Sequence, residues 1–539
     1  MRIAVLGGGP GGLFAATLAK TSDPTRDVTV FERNRAQDTF GFGVVFSDAT
    51  LRGLDDADPV LRTALAGHGV HWDPIEVRLH GERFRCHGNG MAAVARTTLL
   101  GLLQEQAIKA GVDVRFSAAV SPPELLRAGY DLVIAADGAN SGLRDQFAEE
   151  FQPSAATATA KFIWLGTSYP FTGLTFVHER SEHGVFAVHG YPIGDGRSTF
   201  IVETDQEAWQ AAGLDEFDVR QPPGASDEKS RRYLQDLFAA EIDGHPLLAN
   251  NSRWGNFRTR RAARWRHRAG DTWVALLGDA AHTAHFSVGS GTKMALEDAV
   301  ALAAALDDHP GDLDAALAAY EAARQPPVAR IQDSARPSLS WWEHFGRSYD
   351  RLPPWQFAYH FFTRSLTDAK LRRRDEDFVA ATLDRWRSVH RADPLGSPID
   401  VAGQRVPGRV VTVAGAEVRW PGGALPLLTA PAGAGGPEAG VPGVGGPGAG
   451  GAWGLLVTAP AREAGLAAAL GQLAAGVAAG AALVAVAGGT ALTRRLLTEA
   501  ARLEHGAVSL LIDEAEADRL ADVAETAVLS GRTDLVGAP

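Results

Sequence analysis

The sequence predicts an α/β fold: a Rossmann-type nucleotide-binding domain, an antiparallel-sheet domain and a small C-terminal α/β module. Three observations predict it. The chain opens with the apolar run Ile3-Ala4-Val5-Leu6, followed by Gly7, Gly9 and Gly12 in G-x-G-x-x-G spacing around Pro10. A second apolar run, residues 273–277, leads into a Gly-rich loop and an apolar-periodic helix reaching about residue 306. Between them, residues 161–204 alternate in the manner of strands, rich in β-branched and aromatic residues.

The first element is the most specific. Strand, GxGxxG and a helix over residues 13–20 are followed by the strand 28–31, which ends on Glu32 with Arg33 beside it. An acid about 20 positions past the glycines is where a carboxylate accepts hydrogen bonds from a ribose, and the helix N-terminus favours phosphate. Residues 41–47 then form a Gly-punctuated apolar loop containing Gly43, Val44 and Val45. Residues 91–110 read as a helix with Arg96 near its start; on its own that arginine is a solvated helical residue. A third buried strand, 130–136, delivers Asp137-Gly138 to its C-terminal end, with Ser141 and Arg144 spaced behind it.

In the alternating region His189 and Tyr191 are two apart, hence on one face, with His178 on a neighbouring strand. Each either hydrogen-bonds a ligand or is a satisfied sheet residue. Residues 258–268 hold six arginines, either a solvated face or a phosphate site. The Gly-rich loop runs Gly278-Asp279-Ala280-Ala281-His282-Thr283-Ala284-His285-Phe286-Ser287-Val288-Gly289-Ser290-Gly291-Thr292. Backbone N–H groups at the start of the following helix make it a phosphate or cofactor cradle, or else a tight connection. The aromatics between Trp341 and Phe362 read as core packing.

Composition bounds the remainder. A net charge of −12 and a pI near 5.8 do not suggest a nucleic-acid surface. Cys86 is the only cysteine, which excludes an internal disulfide and a Cys-based metal site; no metal is expected. The N-terminal apolar run is spent on a strand and no stretch suits a bilayer, so a cytoplasmic protein without a membrane partner is expected.

The order GxGxxG, Asp-Gly-x-x-Ser-x-x-Arg, Gly-Asp-Ala-Ala-His resembles the single-component (class A) FAD-dependent aromatic hydroxylases, the para-hydroxybenzoate hydroxylase fold, over roughly residues 1–391. More narrowly, Phe40-Gly41-Phe42-Gly43-Val44-Val45 and His285-Phe286 resemble the salicylyl-CoA 5-hydroxylase and 2-aminobenzoyl-CoA monooxygenase branch. The resemblance implies FAD held by Gly7, Gly9, Pro10, Gly12, Glu32, Arg33, Gly43, Val44, Val45, Arg96, Asp137, Gly138, Gly278, Asp279, Gly289, Gly291 and Thr292. It implies NADH or NADPH and O2 as co-substrates, and His285, Phe286, His189 and Tyr191 around an electron-rich ring. Many family members have Pro-Pro where this chain has His285-Phe286, and glycine where it has Val288.

Residues 1–160 and 255–390 are then the FAD-binding and helical parts, and 161–254 mainly the substrate-domain sheet. Residues 391–452 form an extension with an Ala/Gly/Pro-rich linker at 430–451, and 453–539 a separable α/β module of unknown role. Three β/α units there cannot close an eightfold barrel. Three functions stay open: hydroxylation of a 2-hydroxy- or 2-aminobenzoyl thioester, CoA- or carrier-bound, at the 5-position; hydroxylation of a free aromatic; and a non-oxygenating flavoprotein reductase.

Overall fold

Five parallel strands with one antiparallel edge strand build the nucleotide sheet, in the order Arg266–Ala269, Thr272–Leu276, Leu132–Ala135, Arg2–Leu6, Asp27–Phe31, Asp113–Arg115. Ile3, Ala4, Val5, the whole of Leu132–Ala135 and Val274-Ala275-Leu276 are buried, as parallel strands covered on both faces require. The computed structural model describes residues 1–39, 41–48, 59–218, 224–429, 451–513 and 517–538. Phe40 and residues 430–450 of the expected linker lie outside the described residues. The chain divides into two compact units, Met1–His344 and Phe345–Pro539.

In the first unit a second sheet has the order Leu247–Ala249, Pro153–Thr167, Arg197–Thr204, Gly184–Gly194, Leu174–Ser181, Ile75–Leu79, Glu82–Cys86, with Gly255–Ala262 also paired to Pro153–Thr167. Its register sorts side chains by parity. Ile163, Leu165, Val177, Phe186, Val188, Phe200 and Val202 share one face and pack on Ala208, Leu234, Phe238 and Ile242. Opposite residues share a face, so Phe162 with Glu203, Phe176 with His189, and Tyr191 with Thr199 lie on the other.

The second unit holds a closed barrel: Val410–Ala414, Glu417–Trp420, Gly423–Leu428, Gly454–Thr458, Leu483–Ala487, Val508–Ile512, Leu535–Ala538. Alternation again divides its layers. Leu483, Ala485, Leu510 and Leu535 fill the barrel, while Val484 and Val486 meet Leu473 and Leu497 of the surrounding helices. Strands on both sides of residues 430–450 pair directly, Leu427 with Gly454, and Val410–Ala414 pairs with Leu535–Ala538. The strands after Trp453 are therefore not separable from those before the linker. The barrel closes without eight β/α units because three antiparallel strands supply the missing circumference. Among the described residues no helix is long and apolar enough to cross a membrane.

Candidate active site

Strand Arg2–Leu6 ends in Gly7, whose φ of +109° and whose closeness to Ala136 admit only glycine: a Cβ there would stand 2.3 Å from the Ala136 carbonyl oxygen. Glu32 then accepts a hydrogen bond from the Gly8 N–H at 2.8 Å and another from the Asn34 N–H at 2.7 Å. Helix Pro10–Ser22 starts at Gly9 with no side-chain cap and no acid in its first turn. Its leading N–H groups are thus left to an external anion. Arg33 follows on the exposed side of Glu32.

Two further segments converge here. Asp137 accepts from the Gly142 N–H at 2.8 Å through one oxygen, while its other oxygen is buried without a hydrogen-bond partner. Burial pushes its carboxyl up against the pull of Ser141, Gly142 and Arg144. Gly138 follows in the left-handed region. Arg144 donates to the Ala280 carbonyl at 3.3 Å, joining the Asp-Gly segment to the turn Gly278–Ala280.

That turn is fixed from behind by Asp298, a residue that sequence reasoning missed. Fully buried, Asp298 accepts from the Gly278 N–H at 3.0 Å and the Arg324 guanidinium at 2.8 Å, and stands 2.7 Å from His282 Nε2. Burial raises its carboxyl, but His282 and Arg324 outweigh burial and hold it below the usual range. The missed signal is Asp298 itself, an acid on the apolar side of helix Gly291–Asp308.

Asp279 and Arg96 keep accessible surface, yet protein surrounds both so closely that desolvation dominates: it raises the Asp279 carboxyl and lowers the Arg96 guanidinium, against their mutual attraction. Side chains with both properties sit on a concave part of the surface. Helix Gly291–Asp308 opens toward it from Gly289 and Ser290, with no side-chain cap, and Ser290 Oγ is buried without a partner. Gly291 and Thr292 form its first turn. Two uncapped helix N-termini, an acid at the end of the second strand and orphaned oxygens on Asp137 and Ser290 fit a dinucleotide such as FAD.

Gly43-Val44-Val45 forms a strand against Met91–Ala95. A Cβ on Gly43 would stand 2.3 Å from Ile193 Cγ2 and 2.7 Å from Thr199 Oγ1, so this backbone rests directly on the second sheet. Tyr191 donates to the Gly43 carbonyl at 3.3 Å. Burial pushes its hydroxyl up to about 12, against the Thr199 hydrogen bond and Arg96. Val45 lies against Gly289, bringing this loop to the end of the Gly-rich segment.

The polar face of the second sheet completes the site. Phe286 meets Phe162 at 5.0 Å between ring centres, Trp164 at 5.6 Å and His189 at 5.5 Å. Trp342 covers His189 at 4.4 Å and Phe176 at 5.9 Å. His178 lies parallel to Trp342 at 6.4 Å between ring centres. Glu203, also unforeseen, brings one oxygen to 2.7 Å from His189 Nε2 and the other to 3.6 Å from His285 Nε2. A carboxylate closing the apolar run Phe200-Ile201-Val202 at an inward position was the available signal. The structure thus gathers His285, Phe286 and His189 in one cluster, with Tyr191 toward Gly43.

The arginine run divides. Arg261 pairs with Asp333 and Arg266 with Asp314. Arg260 lies instead by Asn140, and desolvation together with Arg144 and Arg258 lowers its guanidinium.

Residues 1–335 match the protein family described as FAD binding domain. The chain is 55% identical over 540 residues to salicyloyl-CoA 5-hydroxylase of Streptomyces sp, covering 100% of this chain and 99% of that one. It is 37% identical over 353 residues to 3-hydroxy-4-methyl-anthranilyl-[aryl-carrier protein] 5-monooxygenase of Streptosporangium sibiricum, covering 66% and 90%. A crystal structure of a mutant 2-methyl-3-hydroxypyridine-5-carboxylic acid oxygenase superposes with a TM-score of 0.50 at 20% identity, over 68% of this chain and 98% of that one, and shows the shared fold. The chain belongs to the FAD-binding-domain family, as one of its single-component FAD-dependent aromatic hydroxylases. FAD is its cofactor, with NADH or NADPH and O2 as co-substrates.

Proposed function

We propose that the protein hydroxylates a 2-hydroxy- or 2-aminobenzoyl thioester, CoA- or carrier-bound, at the ring carbon para to the donor, the 5-position. The observation that carries this reading is the chemistry of the sheet face. Among the described residues, its buried part, from Phe162 through His189 to Glu203, holds aromatic rings, imidazoles and hydroxyls but no lysine or arginine. A free benzoate would bring an unpaired charge there, whereas a thioester carbonyl is neutral. The nearby Arg96 is matched by Asp279. The two relatives named for thioester-bound rings support the same reading.

Bound FAD supplies, from O2 and NAD(P)H, an electrophilic oxygen atom. Glu32 and the helix Pro10–Ser22 would hold its adenosine half, and Asp279, Arg96 and the helix Gly291–Asp308 the remainder. Phe162, Trp164, Phe286 and Trp342 would clamp a planar ring and keep water away. Tyr191 stays protonated at neutral pH and would lock Gly43 in place. Arg258 and Arg260, crowded with Arg144, would take the phosphates of the thioester arm.

The test compares NADH and NADPH consumption under air with salicylyl-CoA, 2-aminobenzoyl-CoA and the free acids, scoring hydroxylated product against hydrogen peroxide. Thioesters are hydroxylated and free acids are not. Arg258→Gln raises KM for the thioester by roughly tenfold at low salt and less at high salt. Equal use of free acid and thioester would replace this reading with hydroxylation of a free aromatic.

A further inference from the structure

Glu203, His189 and His285 are all nearly inaccessible, and nothing in the holding of FAD uses them. Burying a carboxylate is costly without partners. Here two imidazoles reach its two oxygens from different parts of the chain: His189 from the neighbouring strand, His285 from the Gly-rich segment.

The hydrogen bonds of His285 define its tautomer. The Ser287 backbone N–H donates to Nδ1 at 3.3 Å, so Nδ1 is an acceptor and the proton of the neutral ring sits on Nε2, toward Glu203. Ser287 Oγ lies 2.8 Å from the same Nδ1 and 3.1 Å from Ser338 Oγ. Ser287 is only half-buried, whereas Ser338 is buried. A basic nitrogen therefore sits behind one partly open hydroxyl, with a carboxylate behind the nitrogen.

We infer that Glu203 is a positioning residue that makes His285 the proton acceptor for the ring's activating hydroxyl, through Ser287. This inference rests on the substrate reading above. The donor's O–H bond breaks, and its proton passes to Ser287 Oγ as the Ser287 proton passes to His285 Nδ1. The electron pair left on the donor enters the ring, which forms the new C–O bond at the para carbon with the electrophilic oxygen derived from O2 and NAD(P)H. The ring then sheds its C–H proton to water, and the imidazolium returns its proton through Ser287 to the donor atom. Glu203 lowers the cost of the transient imidazolium, and His189 on its other oxygen keeps it aimed.

Other titratable groups surround the cluster. The sheet brings His178 and Tyr191, the strand Gly255–Ala262 brings Arg258 next to Phe257, and the long helix brings Arg336 and Glu343, paired at 3.6 Å.

The experiment uses FAD-loaded full-length Glu203→Gln and Ser287→Ala with two readouts. Nitrogen NMR of the imidazoles, without substrate, follows His285: in the wild type Nε2 carries the proton and the ring titrates to imidazolium at higher pH than in Glu203→Gln. Turnover of salicylyl-CoA falls on the order of 100-fold in each variant with KM little changed, and a fluorinated salicylyl-CoA already ionised at assay pH restores most of it. A purely structural Glu203 would leave that rescue absent. Identical His285 titration in wild type and Glu203→Gln, or no rescue in Ser287→Ala, overturns the inference. If the wild type hydroxylates no thioester, the substrate reading fails, and the NMR titration alone still decides whether Glu203 controls His285. Should Glu203→Gln lose its flavin, Ser287→Ala with the ionised substrate decides the matter.

Discussion

His282 and Asp298 stand 2.7 Å apart beneath the turn that begins at Gly278, and Arg324 and the Gly278 N–H bind the same carboxylate. The position of that turn is thus set by a buried charge on one side of it. Asp298→Ala leaves Arg324 buried without this carboxylate, and unfolding in urea should show a loss of roughly 3–5 kcal/mol. The Asp298 carboxyl is depressed in the folded protein. Its contribution is therefore present above the ordinary Asp range and lost as pH falls through the folded value. Wild-type stability of Asp298→Ala at pH 7 would refute this role.

Flavin retention reports on the two ends of the proposed cofactor site. Glu32→Ala and Asp279→Ala should each weaken FAD binding by roughly tenfold or more, seen as flavin lost on gel filtration. Wild-type flavin content in both variants would remove these residues from the cofactor site.

In the second unit Glu499 is buried among Arg347, Arg495, Arg532 and His360. Burial raises its carboxyl, but His360 when protonated and the guanidinium groups of Arg495, Arg347 and Arg532 outweigh it and hold it at about 2. Burial and Arg532 push the His360 imidazole well below its usual value. Both folded values are depressed, so both favour the folded state at neutral pH. The His360 contribution begins to fade as pH drops below about 6.5, and the Glu499 contribution, on the order of 3 kcal/mol, fades below about 4.5. Thermal melting from pH 7 to pH 3 should show both losses in the wild type, and Glu499→Gln should flatten the lower one.

The barrel makes a prediction about length. A chain ending at Leu428 lacks Gly454–Thr458 and Leu535–Ala538, the partners of Gly423–Leu428 and Val410–Ala414. Residues 345–428 of that fragment should be cleaved by trypsin far faster than in the full chain. Protection equal to the full chain would show that the early strands fold without the late ones.

The turns at the ends of the nucleotide-sheet strands were legible because each is local: Gly7, Asp137-Gly138 and Gly278 each follow a buried strand and lead into a helix or turn. The sharing of a face by His189 and Tyr191 was legible too, since strand parity needs no knowledge of partners. What escaped were relationships between distant segments. Glu203 meets His285, and Asp298 reaches back to Gly278, only through tertiary packing that no local period encodes. Barrel closure was hidden for the same reason: the pairing of Val410 with Val536 is a matter of register across the whole second unit. Sequence could not divide the arginine run between a solvated face and a phosphate site, because alternation along Gly255–Ala262 sends Arg261 to Asp333 while Arg260 turns toward Asn140.

The most direct measurement is the mass of the product formed from salicylyl-CoA and NADH or NADPH under isotopically labelled O2. Thioester hydroxylation places one labelled oxygen on the ring carbon para to the hydroxyl, with the thioester intact. Unlabelled product, or NAD(P)H consumption that yields only hydrogen peroxide while the free acid is hydroxylated, would contradict it.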